Sequence, residues 1–211
     1  MAEAHVILAG DSIFDNATYV PGEPCVTEQL GVHLGNRGSV SMVAVDGSFA
    51  EQVADQIRSL PADATHLYVS TGGNDALKYL PRLHSRVLTD DSPWTAWAEI
   101  QGSFRQDYRG MLQAVLATGL PSAVCTIYDA VPIVSDRERA ALSLFNDVIM
   151  AEAVSVGVPV VDLRLVCTEA GDYSSLSPIE RSCAGGDKIA RALARVLDEH
   201  DYAQNKAVVY S

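Results

Sequence analysis

Apolar residues gather in five short unbroken runs, and in the stretches between them they recur every three or four positions. Unbroken runs of this length suit strands covered on both faces of a parallel sheet, and the intervening periodicity suits amphipathic helices. The runs predict strands over 5–9, 40–45, 66–70, 122–128 and 158–162. The periodic stretches predict helices over about 24–34, 48–59, 94–118, 136–156 and 185–199. One helix after each strand is the order of a doubly wound α/β sheet.

Ser135-Asp136-Arg137-Glu138 is the clearest helix start, a capping box in which Ser135 accepts from the N3 amide and Glu138 reaches back. Behind it Ala141, Leu142, Phe145, Val148 and Ile149 make a stripe ending at Glu152, which reads as core packing and not as a cofactor face. The last helix has its apolar side in Ile189, Leu193, Val196 and Leu197, with Lys188 and the arginines on a solvated face. The longest irregular stretch, Ala76 to Pro93, contains Pro81 and His84 and leaves the carboxyl end of the third strand. Loops of that length often act as lids or binding loops. The tail from Asp201 to Ser211 reads as a poorly anchored end or as a short docking strand, Ala207-Val208-Val209-Tyr210.

With 211 residues and 48% hydrophobic content the chain can bury a full core, and no linker divides it, so one domain over 1–211 is expected. Its 15 basic and 27 acidic residues give a formal charge of −12, which argues against nucleic acid and anionic membrane surfaces as partners. No apolar run is long enough to span a bilayer, and the first residues lack a basic region, so a cytoplasmic protein with no membrane partner is expected. Cys25, Cys125, Cys167 and Cys183 show no CxxC spacing and read as free thiols. The five histidines form no H-x-x-x-H or H-x-H pair, so neither a metal nor any other cofactor is expected. Nothing in the sequence speaks to oligomeric state.

The chemistry concentrates at strand ends. His5-Val6-Ile7-Leu8 runs into Ala9-Gly10-Asp11-Ser12-Ile13-Phe14, and Leu67-Tyr68-Val69-Ser70 runs into Thr71-Gly72-Gly73-Asn74-Asp75. A serine and an amide at the ends of buried strands suit acyl transfer, which needs a nucleophile and donors aimed at the oxyanion. The donors assigned are the Ser12 N–H, Gly47 and the Asn74 side chain. Asp11-Ser12 also suits a helix cap and Gly72-Gly73-Asn74 a turn; their pairing at two strand ends favours the site. Asp11 and Asp75 are candidates to polarise it and contact substrate. The G-x-S-x-G elbow is excluded, because Phe14 occupies its last glycine position.

Together Gly10-Asp11-Ser12-Ile13, Val45-Asp46-Gly47-Ser48, Gly72-Gly73-Asn74-Asp75 and the segment before the last helix resemble the SGNH (GDSL-like) hydrolase family, in order and spacing over nearly the whole chain. The resemblance implies a three-layer, flavodoxin-like α/β/α sandwich, with a sheet of five parallel strands from the runs above. It also implies hydrolysis of an ester, thioester or related acyl substrate of small size. The departure lies where the family places Asp-x-x-His before its last helix. Here Ser177-Pro178-Ile179-Glu180 puts Ser177 in the aspartate slot and Glu180 in the histidine slot, as in a variant branch carrying Pro-Ile-Glu.

A carboxylate is a weaker base than imidazole by about two pKa units, worth about two powers of ten in rate unless burial raises it. Three accounts of the base stay open: Glu180, the loop histidine His84 placed ten residues beyond Asn74, or none. Glu180 also suits an ion pair with Arg181 or a helix cap. A hydrolase with an atypical base is therefore set against two alternatives. One is a non-hydrolytic enzyme using the oxyanion pocket, and the other a small-molecule-binding protein without turnover.

Overall fold

A computed structural model of the chain describes residues 3–81 and 93–211. Strands β1 (Ala4–Gly10), β2 (Gly38–Met42), β3 (His66–Ser70), β4 (Ser122–Cys125), β5 (Val160–Val161) and β6 (Val209–Tyr210) form a parallel sheet in the order β2-β1-β3-β4-β5-β6. The helices are α1 (Val26–Leu34), α2 (Val53–Gln56), α3 (Gly73–Lys78), α4 (Pro93–Ala117), α5 (Asp136–Ser155), α6 (Leu163–Val166) and α7 (Cys183–Glu199).

Alternation along the strands builds two cores. Val6 and Leu8 of β1, with Tyr68, Ala123 and Cys125, face a cluster completed by α1 and α7. Ile7 and Ala9, with Leu67, Val69 and Val124, face the opposite cluster, completed by α4 and α5. The central strands β1, β3 and β4 are thus covered on both sides, which is why they are largely apolar, whereas the edge strand β2 keeps Ser39 and Ser41 and is only partly buried. The predicted stripe of α5 divides accordingly: Phe145, Val148 and Ile149 are buried, and Glu152 takes Arg109 in a two-bond ion pair at 2.8 Å, with Arg105 at 3.5 Å. The Ser135 capping box is formed, with the Glu138 N–H to Ser135 Oγ at 3.3 Å and the Ser135 N–H to Glu138 Oε2 at 2.8 Å.

The sheet has six strands, not five. In the tail, Val209 and Tyr210 pair with Val160 and Val161 of β5, and Tyr210 becomes buried. Of the two readings of the tail the docking strand is the one it takes, and it covers an edge that β5 would otherwise leave unpaired. The stretch beginning at Ala76 is not irregular throughout, because α3 continues to Lys78. The segment predicted as one helix over 48–59 is α2 flanked by two 3-10 turns, Ala50–Gln52 and Ile57–Ser59, and it stops at Leu60 because Pro61 holds the residue before it extended.

In this strand order the chain leaves β1 and then returns on the other side at β3, so a crevice opens beyond the carboxyl ends of those two neighbours. Ser12 lies just past one strand end and Gly72–Asn74 just past the other.

Candidate active site

A glycine and a glutamine shape the end of β1. Gly10 has φ +127° and lies so close to β3 that a β-carbon there would sit 1.8 Å from the Ser70 carbonyl oxygen. The Gln56 side chain clamps this residue from the other side, accepting from the Gly10 N–H at 2.7 Å and donating to its carbonyl at 2.8 Å. The Asp11 N–H then donates to Ser70 O at 3.1 Å, and Asp11 Oδ1 accepts from the Ile13 N–H at 3.1 Å. This tight turn presents Ser12, which is nearly buried, to the crevice.

Ser12 Oγ donates to Glu180 Oε1 at 3.1 Å, across a separation of 168 residues. Neither structural role open to Glu180 in the sequence is the one it takes. Among the described residues no ion pair joins Glu180 to Arg181, and the cap of α7 is Ser182, whose Oγ accepts from the Gly185 N–H at 3.1 Å. The segment carrying Glu180 is held at many points. Its N–H donates to Ser177 O at 2.9 Å, its carbonyl accepts from the Ser174 N–H at 2.8 Å, and the Tyr128 hydroxyl donates to Ile179 O at 2.5 Å.

Asn74 begins α3 after Gly72, whose φ of +116° only glycine takes readily. Its Nδ2 donates to Ser48 O at 3.0 Å, leaving the second amide hydrogen for the crevice. Gly47 sits on the exposed turn before Ser48 with φ +80°, and it does not line the cavity described below. Among the described residues no protein acceptor takes the Ser12 or Gly47 N–H. Asp75 also lies off the cavity; its Oδ2 accepts from the Ala50 N–H at 3.1 Å and ties α3 to the turn after β2. His84 lies outside the described residues. The other histidines do not line the cavity, and His5 bonds Ser41 while His33 bonds Asp187.

Burial dominates the electrostatics. It pushes the Glu180 carboxyl up to about 7; the Ser12 hydroxyl bond opposes the rise, Asp46 adds to it, and Arg181 opposes it. Asp11 is pushed up to about 8 by burial, with the Ile13 N–H holding it down and the charges of Glu180, Asp75 and Asp46 raising it. At neutral pH Asp11 therefore keeps its proton, and Glu180 exchanges its own within the physiological range. Asp75 rises to about 6, again chiefly by burial.

Ser12, Glu180, Asp11 and Asn74 edge a cavity of about 170 Å³ whose walls are Ile13, Trp97, Ile127, Val131, Leu142 and Phe145. The α5 stripe thus serves this cavity as well as the core. Among the described residues its ionisable lining groups include Asp11, Glu138 and Glu180. Among the described residues no cluster of His, Cys, Asp and Glu is arranged to hold a metal ion, and no helix is long and apolar enough to cross a membrane.

Sequence reasoning missed three parts of this site: the Gln56 clamp, the wall from α5, and Arg181, which is buried between two tyrosines. The first two depend on long-range packing. The third had a signal, an arginine beside the glutamate in an otherwise apolar setting, but was read only as an ion partner.

No sequence-family description matches this chain, and no curated protein matches it in sequence. Solved structures do match in shape. A lipase from a goat rumen metagenome superposes with a TM-score of 0.73 at 16% identity, covering 95% of this chain and all (100%) of that one. A variant of Axe2, an acetyl xylan esterase from Geobacillus stearothermophilus, gives 0.64 at 15% identity over 92% of this chain and 96% of that one. A putative lipolytic protein of the G-D-S-L family from Desulfitobacterium hafniense gives 0.62 at 17% identity over 92% and 99%. The chain therefore has the three-layer parallel α/β fold of these lipases and esterases along nearly its whole length.

Proposed function

We propose that this chain is a serine hydrolase of the SGNH/GDSL type, acting on an ester or thioester of a small apolar acyl group. One observation carries the reading: the buried 3.1 Å contact between Ser12 Oγ and Glu180 Oε1 at the edge of an apolar cavity. A hydroxyl within hydrogen-bond reach of a carboxyl that exchanges its proton near neutrality is a nucleophile with its base. The shared fold with lipases and acetyl xylan esterases supports the same reaction class.

In this mechanism ionised Glu180 takes the Ser12 hydroxyl proton as Oγ attacks the acyl carbonyl carbon. The oxyanion so formed is met by the Ser12 and Gly47 N–H groups and by the free hydrogen of Asn74 Nδ2. Collapse breaks the bond to the leaving alkoxide or thiolate, which takes the proton back from Glu180. Water then gives a proton to Glu180 while its oxygen attacks the acyl-serine, releasing the carboxylic acid and returning the proton to Ser12. Asp11, protonated at neutral pH, adds no second negative charge beside the developing oxyanion.

The cavity supports the acyl class. Its 170 Å³ is slightly more than the apolar void of about 150 Å³ that accepts benzene in another protein, so an acyl chain of about six carbons fills it. A second reading, binding without turnover, has one observation in its favour: Glu180 Oε2 is buried with no polar partner, so that oxygen has nothing to orient it. The test is a panel of nitrophenyl esters of rising chain length. Turnover peaking at about four to eight carbons and abolished in Ser12→Ala supports the hydrolase. Tight binding of such esters without release of acid supports the binding protein.

A further inference from the structure

Arg181 follows Glu180 and is fully buried (0% exposed), which is rare for an arginine without a carboxylate partner. Its guanidinium carbon lies 3.3 Å from the Tyr128 centroid and 3.8 Å from that of Tyr173, in the corner made by two rings packed edge to face at 80°. Nε and Nη1 are buried with no hydrogen-bond partner, and Nη2 reaches only Ile179 O at 3.5 Å. Stability does not explain such a residue, because a buried charge is often replaced by an apolar side chain of similar volume at no loss.

Two observations connect it to the site. These tyrosines belong to the frame that aims Glu180: Tyr173 forms an antiparallel bridge with Arg181, and the Tyr128 hydroxyl holds Ile179 O. The buried carboxylates also divide cleanly. Asp162 pairs with Arg164, Asp172 with Lys188 and Glu152 with Arg109, and Asp75 is held by the Ala50 N–H. Asp11 and Glu180 are left without a cation in contact, and Arg181 is the one buried cation among the described residues.

We propose that Arg181 is a positioning residue: its packing against the Tyr128 and Tyr173 rings aims Glu180 at Ser12, and its charge, paired with no carboxylate, supplies the counter-ion for that site. A direct ion pair would occupy Glu180 and blunt it as a base. A guanidinium held by ring faces favours the carboxylate without taking its oxygens. Facing Glu180 from the other elements are Asp11 at the end of β1, Tyr19, Asp46 after β2, and Tyr128 after β4. Asp46 disfavours the carboxylate, and Asp11 and the tyrosines are neutral at working pH, so among the described residues Arg181 is the charge that favours it.

The inference rests on Glu180 being the base, and the experiment separates the two. The Glu180 carboxyl is titrated in the whole protein by infrared difference against Glu180→Gln, which needs no turnover, and kcat/KM is followed against pH in parallel. Arg181→Met is expected to raise the titration midpoint by about one pH unit, the low end for loss of a neighbouring opposite charge, and Arg181→Lys to restore it. Tyr173→Leu, which removes one of the two rings and leaves the charge, is expected to lower kcat about tenfold with KM and midpoint unchanged. An unmoved midpoint in Arg181→Met, or an undiminished kcat in Tyr173→Leu, overturns the proposal. If no ester is turned over at all the hydrolase reading fails, and the carboxyl titration still decides the role of Arg181.

Discussion

Replacing Glu180 by glutamine should move stability and activity in opposite directions. The folded protein raises this carboxyl from its ordinary value of 4.5 to about 7, chiefly by burial. Below the lower of these values both the folded and unfolded chains hold the proton, and ionisation costs the fold nothing. Between them the unfolded chain releases the proton while the folded one retains it, so wild-type stability falls as pH rises; above the upper value the penalty is complete. The interval corresponds to about 3 kcal/mol. Glu180→Gln keeps the shape, still accepts from Ser12 Oγ, and has no proton to lose. Denaturant unfolding at pH 5 and pH 8 should show the variant close to wild type at the first and more stable by up to about 3 kcal/mol at the second. Ester turnover should be lost at every pH. An equal difference at both pH values would show that Glu180 does not titrate as a buried acid, and retained turnover would show that it is not the base. Retention in Glu180→Gln together with loss in His84→Ala would give the role to His84.

Two further substitutions test the donors and the scaffold. Asn74→Ala should lower kcat by about 10²-fold, the scale for removing one oxyanion donor; a change confined to KM would make it a ground-state contact. Gly10→Ala puts a β-carbon 1.8 Å from Ser70 O at φ +127° and should cost more than about 3 kcal/mol, read as a fall in Tm of about 10 °C. Gly47→Ala, with φ +80° and nothing within 4 Å of the new carbon, should cost about 1 kcal/mol and keep its N–H in place. Equal losses at the two glycines would contradict the close approach of β1 to β3.

How much of this was legible depended on how local the cause was. β1 and β3 showed as apolar runs because each is buried on both faces, and the box at Ser135 is contained in four residues. β6 was legible as one of two readings of the tail, the docking strand Ala207-Val208-Val209-Tyr210, but its pairing with β5 was not, since that depends on the edge β5 offers. The 3-10 turns around α2 differ from a helix by backbone geometry that side-chain periodicity does not record. At the site, the contact of Ser12 with Glu180 spans 168 residues, and Glu180 could be suggested only through its slot in a known pattern. Its proton affinity was not readable at all, because that comes from what buries it. Arg181 illustrates the remainder: its identity was plain in the sequence, but the two rings that hold it come from different parts of the chain.

The most direct test of the Ser12–Glu180 pair is covalent labelling by a serine-directed fluorophosphonate, followed by intact mass and peptide mapping across pH. The account predicts a single adduct on Ser12, forming at a rate that rises with pH through a midpoint of about 7 and is lost in Glu180→Gln. No adduct, an adduct on another residue, or labelling of Glu180→Gln at the wild-type rate would contradict it.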